Sequence, residues 1–519
     1  MNSPKSFVKN LHRWILIAIL AIIVVHNYYG EYCAHCEGYG WDGSVYYKDI
    51  LINGLDQYTS GNISQYHTHR LLPFLITHYI MRVLSLSFLP NNVMLVSSII
   101  NTCLLAISVW LFFGISRAKK WNWKTETLIF AFCFYNYHVL KFMGYCPVMT
   151  DMPTYTLSIA LAYFFIKQNK TGLITTGLIS IVVFPLLALM ALLLLAFPNN
   201  SVGEYIPRKE NAANPPSKID KANYILNVTM RAILTWWLPT AFVAYIFFRL
   251  YVRGMDNYQS VFVTRYPQNV WISVAGIIAY IIFYFYATMP LRADFATTLK
   301  QLCTRRRILA IALWLAIFVV VYTLPTMYGF KGKFSLVNEF AQICQFPATD
   351  VLIFIETHFL YLGIGFLFVL LMWKEICRET RILGIGAVLI LMLSLVFLSD
   401  IETRKITCFY IFLLPIMGTL LEKKDIKLYI VYLIVATQLI CSAFWFNINT
   451  DGIAEAFATY DINVYLQMPA QRYYMFQGPW QSHQMYMLII IIEICLLGIL
   501  QLYLRNKSKN NDTKQLAII

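Results

Sequence analysis

Charge is scarce in this chain, and negative charge is scarcer. Of 519 residues only 13% are Asp, Glu, Lys or Arg, 26 acidic against 41 basic, about half the charged share of an ordinary soluble domain. That shortage excludes a large water-facing domain, so any chemistry has to be built from helix ends and loops. There is no Gly-rich phosphate loop, no internal repeat and no low-complexity run. Among 11 cysteines there is one CxxC, Cys33 to Cys36 in CAHC, whereas a structural zinc site takes four ligands. With His26 and His35 nearby, a zinc site stands beside a disulfide or two thiols, and Cys146 and Cys344 offer other pairings.

What the chain has is apolar. Hydrophobic residues make up 59% of it and aromatics 16%, with mean hydropathy +0.59. Runs long enough to cross hydrocarbon, about 20 residues each, recur along nearly its whole length. The net charge of +15 gathers in particular loops and reads as an orientation signal rather than a nucleic-acid footprint. Lys5, Lys9 and Arg13 precede the apolar run Trp14 to Val25. No small-residue cleavage site follows, so the run is expected to be an uncleaved first span.

Placing Lys5 to Arg13 in the cytoplasm sends the first span outward and puts loop 27–91 on the far side. His69 to Leu84, with Arg70, His78 and Arg82, reads as an amphipathic interfacial helix. Were it to cross, the basic loop Arg117, Lys119, Lys120 and Lys124 would land outside, against the charge bias. Spans follow at Val93 to Ile115, Leu128 to Phe142 and Thr154 to Ile166. The cluster Arg292, Lys300, Arg305, Arg306 and Arg307 belongs inside, and two spans precede it, Ala232 to Tyr251 and Val270 to Met289. The polar linker Asn199 to Arg231 is therefore inside too, and is expected to be mobile. Leu173 to Phe197 must then enter and leave on one side as a hairpin broken near Pro185; the other reading is a single span with the linker outside. The runs Ile308 to Tyr328, Val351 to Trp373, Ile382 to Leu398, Cys408 to Leu421, Leu428 to Phe446 and Met487 to Leu504 then alternate. The expectation is an all-α polytopic transmembrane helical bundle of about 12 spans plus a re-entrant or broken helix pair, both termini cytoplasmic.

Gly38 to Pro73 is the most chemically mixed stretch. Asp42 sits between Trp41 and Gly43 and is followed by Tyr46 and Tyr47. A carboxylate among aromatic and small residues at a membrane edge suits gripping a sugar beside a lipid, and Asp-Gly is also common turn chemistry. The loop GYCPVMTDMP falls on the same side, so Asp42 and Asp151 share a face, although Asp151 before Met152-Pro153 is equally a helix N-cap. Arg70, Lys331, Lys333 and Arg404 are basic on the side that charge bias disfavours. Arg suits bidentate contact with phosphate; Lys331 and Lys333 also fit simple snorkelling, and Asp400 and Glu402 are alternative partners for Arg404. Glu356, His358 and Glu493 fall inside spans, as functional groups or as helix–helix contacts. Gln467 to Tyr486 reads as interface anchors or as a sugar-stacking loop.

GYGWDGSVYY, then YHTHRLLPFL, then TDMPTY at the head of a later helix resemble bacterial members of the GT-C superfamily of polytopic glycosyltransferases. SDIETRKITCFYIFLLPIM is similar to the acidic-x-x-x-Arg stretch that opens a late helix in such enzymes, and the hairpin at Pro185 to their broken helix pair. The resemblance implies transfer of a sugar from a polyprenyl-phosphate donor to an acceptor on the outer face, with inversion and no nucleotide. The acceptor would be a cell-envelope glycan such as O-antigen, a lipid or a pilin, at a bacterial inner membrane with a periplasmic active site. By that match Asp42 is the general base. Asp151 is a second acid that orients the acceptor or holds a divalent cation, Mg or Mn. Arg70 and Arg404 bind the donor phosphate, with Tyr46, Tyr47, His67, His69, Lys331 and Lys333 as further substrate contacts. Trp41 stands where the family usually has Tyr and His67 where it often has Arg, which bears on substrate identity more than on reaction type. The implied organisation is a GT-C-like domain over 1–450 with outer catalytic loop 27–91 and linker 198–231. An outer loop, 447–486, then covers the site, and the last span and tail occupy 487–519. A lipid-linked glycan transporter or flippase would show weak internal symmetry, which is not visible; a glycan polymerase differs only in donor.

Overall fold

Hydrocarbon offers no partner for a backbone N–H or C=O, so an apolar chain satisfies both within helices. The computed structural model describes residues 4–33, 35–40, 43–197, 201–205, 217–247, 270–302, 305–330, 351–424, 426–445 and 483–516. Among these every regular element is helical, and the isolated bridge between Ser64 and Phe330 is the sole β pairing. Six helices are long and apolar enough to cross a membrane: Leu11–Tyr28, Pro90–Lys119, Trp271–Leu291, Ile308–Thr326, Thr403–Glu422 and Tyr486–Leu504. The chain is a membrane protein. Thr403–Glu422 is its central helix, with 83% of its apolar window buried, whereas none of the Ile308–Thr326 window is. Trp110, Trp271 and Ile494 are among many large apolar side chains on the rim, a surface that belongs against lipid.

Long helices alone do not reach the apolar-run count of about 12, because several runs are interrupted. Val351 to Trp373 divides into Ile353–Leu362 and Ile364–Leu371 at Gly363, whose φ of +70° and ψ of −156° suit glycine alone. The buried amide of Gln438 fills the break. Its Nε2 donates to the Leu362 and Tyr135 carbonyls, each at 3.0 Å, and its Oε1 accepts from the Gly365 N–H at 3.1 Å. Tyr135 lies just past the helix Trp123–Phe134, so one side chain serves two broken spans. Beyond it Asn136 donates to the Cys133 carbonyl at 2.8 Å and accepts from the Val139 N–H at 3.0 Å, leading into the wide turn His138–Phe142.

A third interruption forms a hairpin. Lys170–Ser180 and Pro185–Ala196 are separate helices, with Pro185 in the first turn of the second, where its missing N–H costs nothing. A Cβ on Gly177 would lie 2.9 Å from that of Ala191, so the two arms pack closely. The charge count along the sequence favours this arrangement over a single span.

The linker expected to be mobile is helical from Lys218, continuous with the helix to Phe247. Asn223 and Asn227, one turn apart, fix it: Asn223 accepts from the Ala296 N–H at 2.7 Å and Asn227 donates to the Ala293 carbonyl at 2.9 Å. A polar segment thus gains the partner it lacks in sequence.

Polar contacts sort the loops into two sets. Of those expected inside, Arg13 donates twice to Glu126 at 2.6 Å, Asn122 donates to Glu422 at 2.7 Å, and Arg381 reaches Glu204 at 2.9 Å and the Pro290 carbonyl at 2.8 Å. Of those expected outside, Lys141 pairs with Glu31 at 2.7 Å, and Gln65 N–H donates to the Phe330 carbonyl at 3.0 Å. The hairpin tip joins this second set, since Leu72 N–H donates to the Val182 carbonyl at 3.2 Å. The helix Leu71–Val83 in the first loop buries Leu71, Phe74, His78 and Met81 along one face. At 13 residues it is about 20 Å long, too short to cross.

Candidate active site

Asp151 is the first residue of the helix Asp151–Ile166, with Thr150 in the cap position and no side-chain cap bond. The N-cap expected of Asp151 is thus shifted by one residue, and its carboxylate turns elsewhere. Oδ2 lies 3.8 Å from Arg404 Nη1 and Oδ1 lies 4.0 Å from His138 Nε2. Asp151 is 7% exposed, and Arg404 reaches it from the first turn of Thr403–Glu422.

The turn ahead of that helix is built by its own acids. The Glu402 N–H donates to Asp400 Oδ1 at 2.9 Å, a local Asx turn. Lys405 bridges Asp400 at 2.9 Å and Glu402 at 3.1 Å, and Arg404 Nη2 lies 3.8 Å from Glu402. Burial pushes the Asp400 carboxyl up to about 6 despite Lys405. For Glu402 burial acts the same way, but Lys405 and Arg404, with Arg70 further off, outweigh it and hold the group down to about 2. Arg70 and Arg404, the two arginines expected at a phosphate, therefore act on the same carboxylate.

His358 fastens the turn from behind. Its Nε2 donates to the Leu398 carbonyl at 2.8 Å and its Nδ1 meets the Thr403 hydroxyl at 2.9 Å. Leu398 ends one helix and Thr403 begins the next, so this residue is a helix–helix contact that positions the acidic turn.

Arg70 is held by the first outer loop. Its guanidinium lies over the Tyr66 ring at 4.4 Å, donates to the Tyr66 hydroxyl, and reaches the Tyr47 hydroxyl at 3.5 Å. Tyr47 stacks on Phe74 at 3.9 Å. His67 bonds through Nδ1 to Ser64 at 2.5 Å, and Ser64 caps the turn Gln65–Thr68. His69 stacks on Tyr322 at 4.0 Å and contacts the Ile181 carbonyl at 3.1 Å; burial lowers its proton affinity. Of these rings Tyr66 and Tyr47 touch Arg70 directly. Trp41, Asp42, Lys331, Lys333 and the Gln467 to Ser482 part of the aromatic loop lie outside the described residues, as does the side chain of Tyr46. Gly43, which follows Asp42, packs on the Val148 carbonyl, where an added Cβ would sit at 3.3 Å.

The structure therefore gathers Asp151, Arg404 and Glu402, with Arg70 nearby, and adds His138, which the sequence reading passed over. Its signal was a lone imidazole in the aromatic run CFYNYHVLKF. Glu356 and Glu493 are buried within their helices. Among the described residues no three His, Cys, Asp or Glu side chains gather to hold a metal. Asp151 faces a guanidinium, and Asp42, the other acid that the resemblance offers to a divalent cation, lies outside the described residues. An apolar cavity of about 330 Å³ is lined by Ile406, Phe409, Tyr410 and Leu413. Those positions share one side of their helix, and at 100° per residue Arg404 points to the other.

Comparison with protein-family models, with curated proteins and with solved structures finds no match for the chain.

Proposed function

We propose that this protein is a GT-C-type glycosyltransferase of about 12 spans counting interrupted ones. In this reading it moves a sugar from a polyprenyl-phosphate donor to an acceptor hydroxyl on the outer, periplasmic side of a bacterial inner membrane. The carrying observation is the convergence of Asp151, Glu402 and Arg404, with Arg70 acting on the same Glu402 carboxylate. The packing of Gly43 against Val148 adds support, because it brings the chain just after Asp42 alongside the chain leading to Asp151.

The reaction breaks the bond between the anomeric carbon and the phosphate oxygen and forms one to the acceptor oxygen on the opposite face of the sugar. Asp42 takes the acceptor proton. Polyprenyl phosphate leaves with its charge held by Arg404 and Arg70, whose planar guanidinium groups match phosphate oxygens. Asp151 orients the acceptor and keeps Arg404 in place.

Asp42→Asn in native membranes supplied with their own lipid-linked sugars should lose transfer by at least about 100-fold, the usual worth of a positioned base. Full transfer would dismiss the assignment, and normal donor turnover in Arg404→Ala would remove the phosphate role. Export of an intact lipid-linked glycan without a new glycosidic bond would favour the flippase alternative, and use of a repeat-unit donor the polymerase.

A further inference from the structure

We propose that Cys33 and Cys146 form a disulfide that ties the segment entering the first outer loop to the loop that ends at Asp151. A Cβ placed on Gly40 would lie 4.0 Å from Cys33 Sγ and 3.8 Å from Cys146 Sγ, so both sulfurs border one point beside that glycine. The Cys33 N–H donates to the carbonyl of Tyr145, the residue before Cys146, at 2.9 Å. That bond holds the two backbone segments together one residue from Cys146, and a disulfide joins Cα atoms about 4.4–6.8 Å apart. Both side chains are buried, at 2% and 5% exposure. The Cys33 thiol, hydrogen-bonded to it, and burial push the Cys146 thiol well above its ordinary value.

The alternatives raised by CAHC fare less well. Cys36 is exposed and stands in a left-handed turn with φ of +50°. A zinc site has no third donor among the described residues.

The oxidant is a disulfide-bearing thiol oxidoreductase of the outer compartment. A thiolate of one cysteine attacks the oxidant's disulfide, forming a mixed disulfide and releasing one oxidant thiolate. The second cysteine's thiolate then displaces the other oxidant sulfur. Two protons and two electrons leave the chain, and the oxidant departs as a dithiol. Because both sulfurs are buried in the folded protein, exchange belongs to the stage before the two loops pack. The link rests on both loops lying outside, not on sugar transfer, and it is read without an activity assay.

Protein from native membranes, denatured with excess iodoacetamide and no reductant, should yield on digestion a linked peptide pair joining Cys33 to Cys146. The pair should be lighter by two hydrogens than the two thiol peptides, should vanish with reductant, and should leave Cys36 alkylated. Alkylation of both Cys33 and Cys146 without reduction would overturn the proposal, as would either one linked to Cys36 or Cys344. Reductant should also lower the melting midpoint of the wild-type and Cys36→Ser chains in detergent, and not that of the Cys33→Ser, Cys146→Ser chain. An equal shift in that double variant would also count against the link. Should the double variant fail to accumulate, the wild-type peptide map decides.

Discussion

The Asp151 carboxylate lies 3.8 Å from the Arg404 guanidinium, joining the first turn of the helix that TDMPTY opens to the first turn of the helix that SDIETRK opens. Neither side chain caps its own helix. Each is the other's counter-charge where water is largely excluded, since Asp151 is 7% exposed.

Removing either charge breaks this contact and leaves Arg404 with Glu402 at 3.8 Å, or Asp151 with His138 at 4.0 Å. Arg404→Ala and Asp151→Asn should each lower stability in detergent by about 1–3 kcal/mol, and the double variant should cost less than the sum of the two. Thermal or denaturant unfolding of the four chains gives the coupling; strict additivity would show that the pair carries none. Arg404→Lys should fail to restore transfer, because an ammonium lacks the planar fork.

Asp400 and Glu402 impose opposite pH dependences. Asp400, pushed up to about 6 by burial, binds a proton in the folded chain that the unfolded chain has released above about 4. Its contribution to stability therefore falls as pH rises from about 4 to 6. Glu402, held at about 2 by Lys405 and Arg404 against the effect of burial, contributes fully above its unfolded value and loses that contribution as pH falls towards 2. Melting profiles across this range should flatten between about pH 4 and 6 in Asp400→Asn, and below about pH 4.5 in Glu402→Gln. Unchanged profiles would contradict both assignments.

Gln438 holds two interrupted helices at once. Gln438→Leu strands the Tyr135 and Leu362 carbonyls and the Gly365 N–H, at about 1–3 kcal/mol for each group left unpaired. The protein should unfold at markedly lower temperature in detergent. Gly363→Ala should do likewise, since its Cβ would fall 2.6 Å from Gln438 on a backbone with φ of +70°. Wild-type melting in both would mean that the breaks tolerate open backbone groups.

The charge-based topology expects the two sets of loops on opposite sides of the membrane. In a chain stripped of reactive thiols, an impermeant maleimide applied to intact cells should label cysteines placed at Gly61 and Thr326. Glu204 and Lys423 positions should react only after permeabilisation. Labelling of a mixed set would undo the charge-based topology.

The helical class and the hairpin were legible because apolar runs, a proline and clustered lysines and arginines act locally. The pairing of Asp151 with Arg404 was half legible: parity and motif brought both to one side, and only folding set the distance. Gly363 was not legible, since the two glycines in VLIFIETHFLYLGIGFLFVLL leave hydropathy uninterrupted, and its partner Gln438 lies in a different helix. The helical extension at Lys218 escaped for the same reason, because Asn223 and Asn227 bond to a segment distant in sequence. His358, open in sequence between a functional group and a helix–helix contact, serves as a clamp between two helices.

Mass spectrometry of cell-surface glycans from cells carrying the wild-type chain, the Asp151→Asn chain or no chain tests the enzymatic reading most directly. The wild-type chain should add the mass of a sugar unit to a surface glycan, lipid or protein, and the other two cells should both lack it. Identical glycans in all three, or wild-type product from Asp151→Asn, would contradict it.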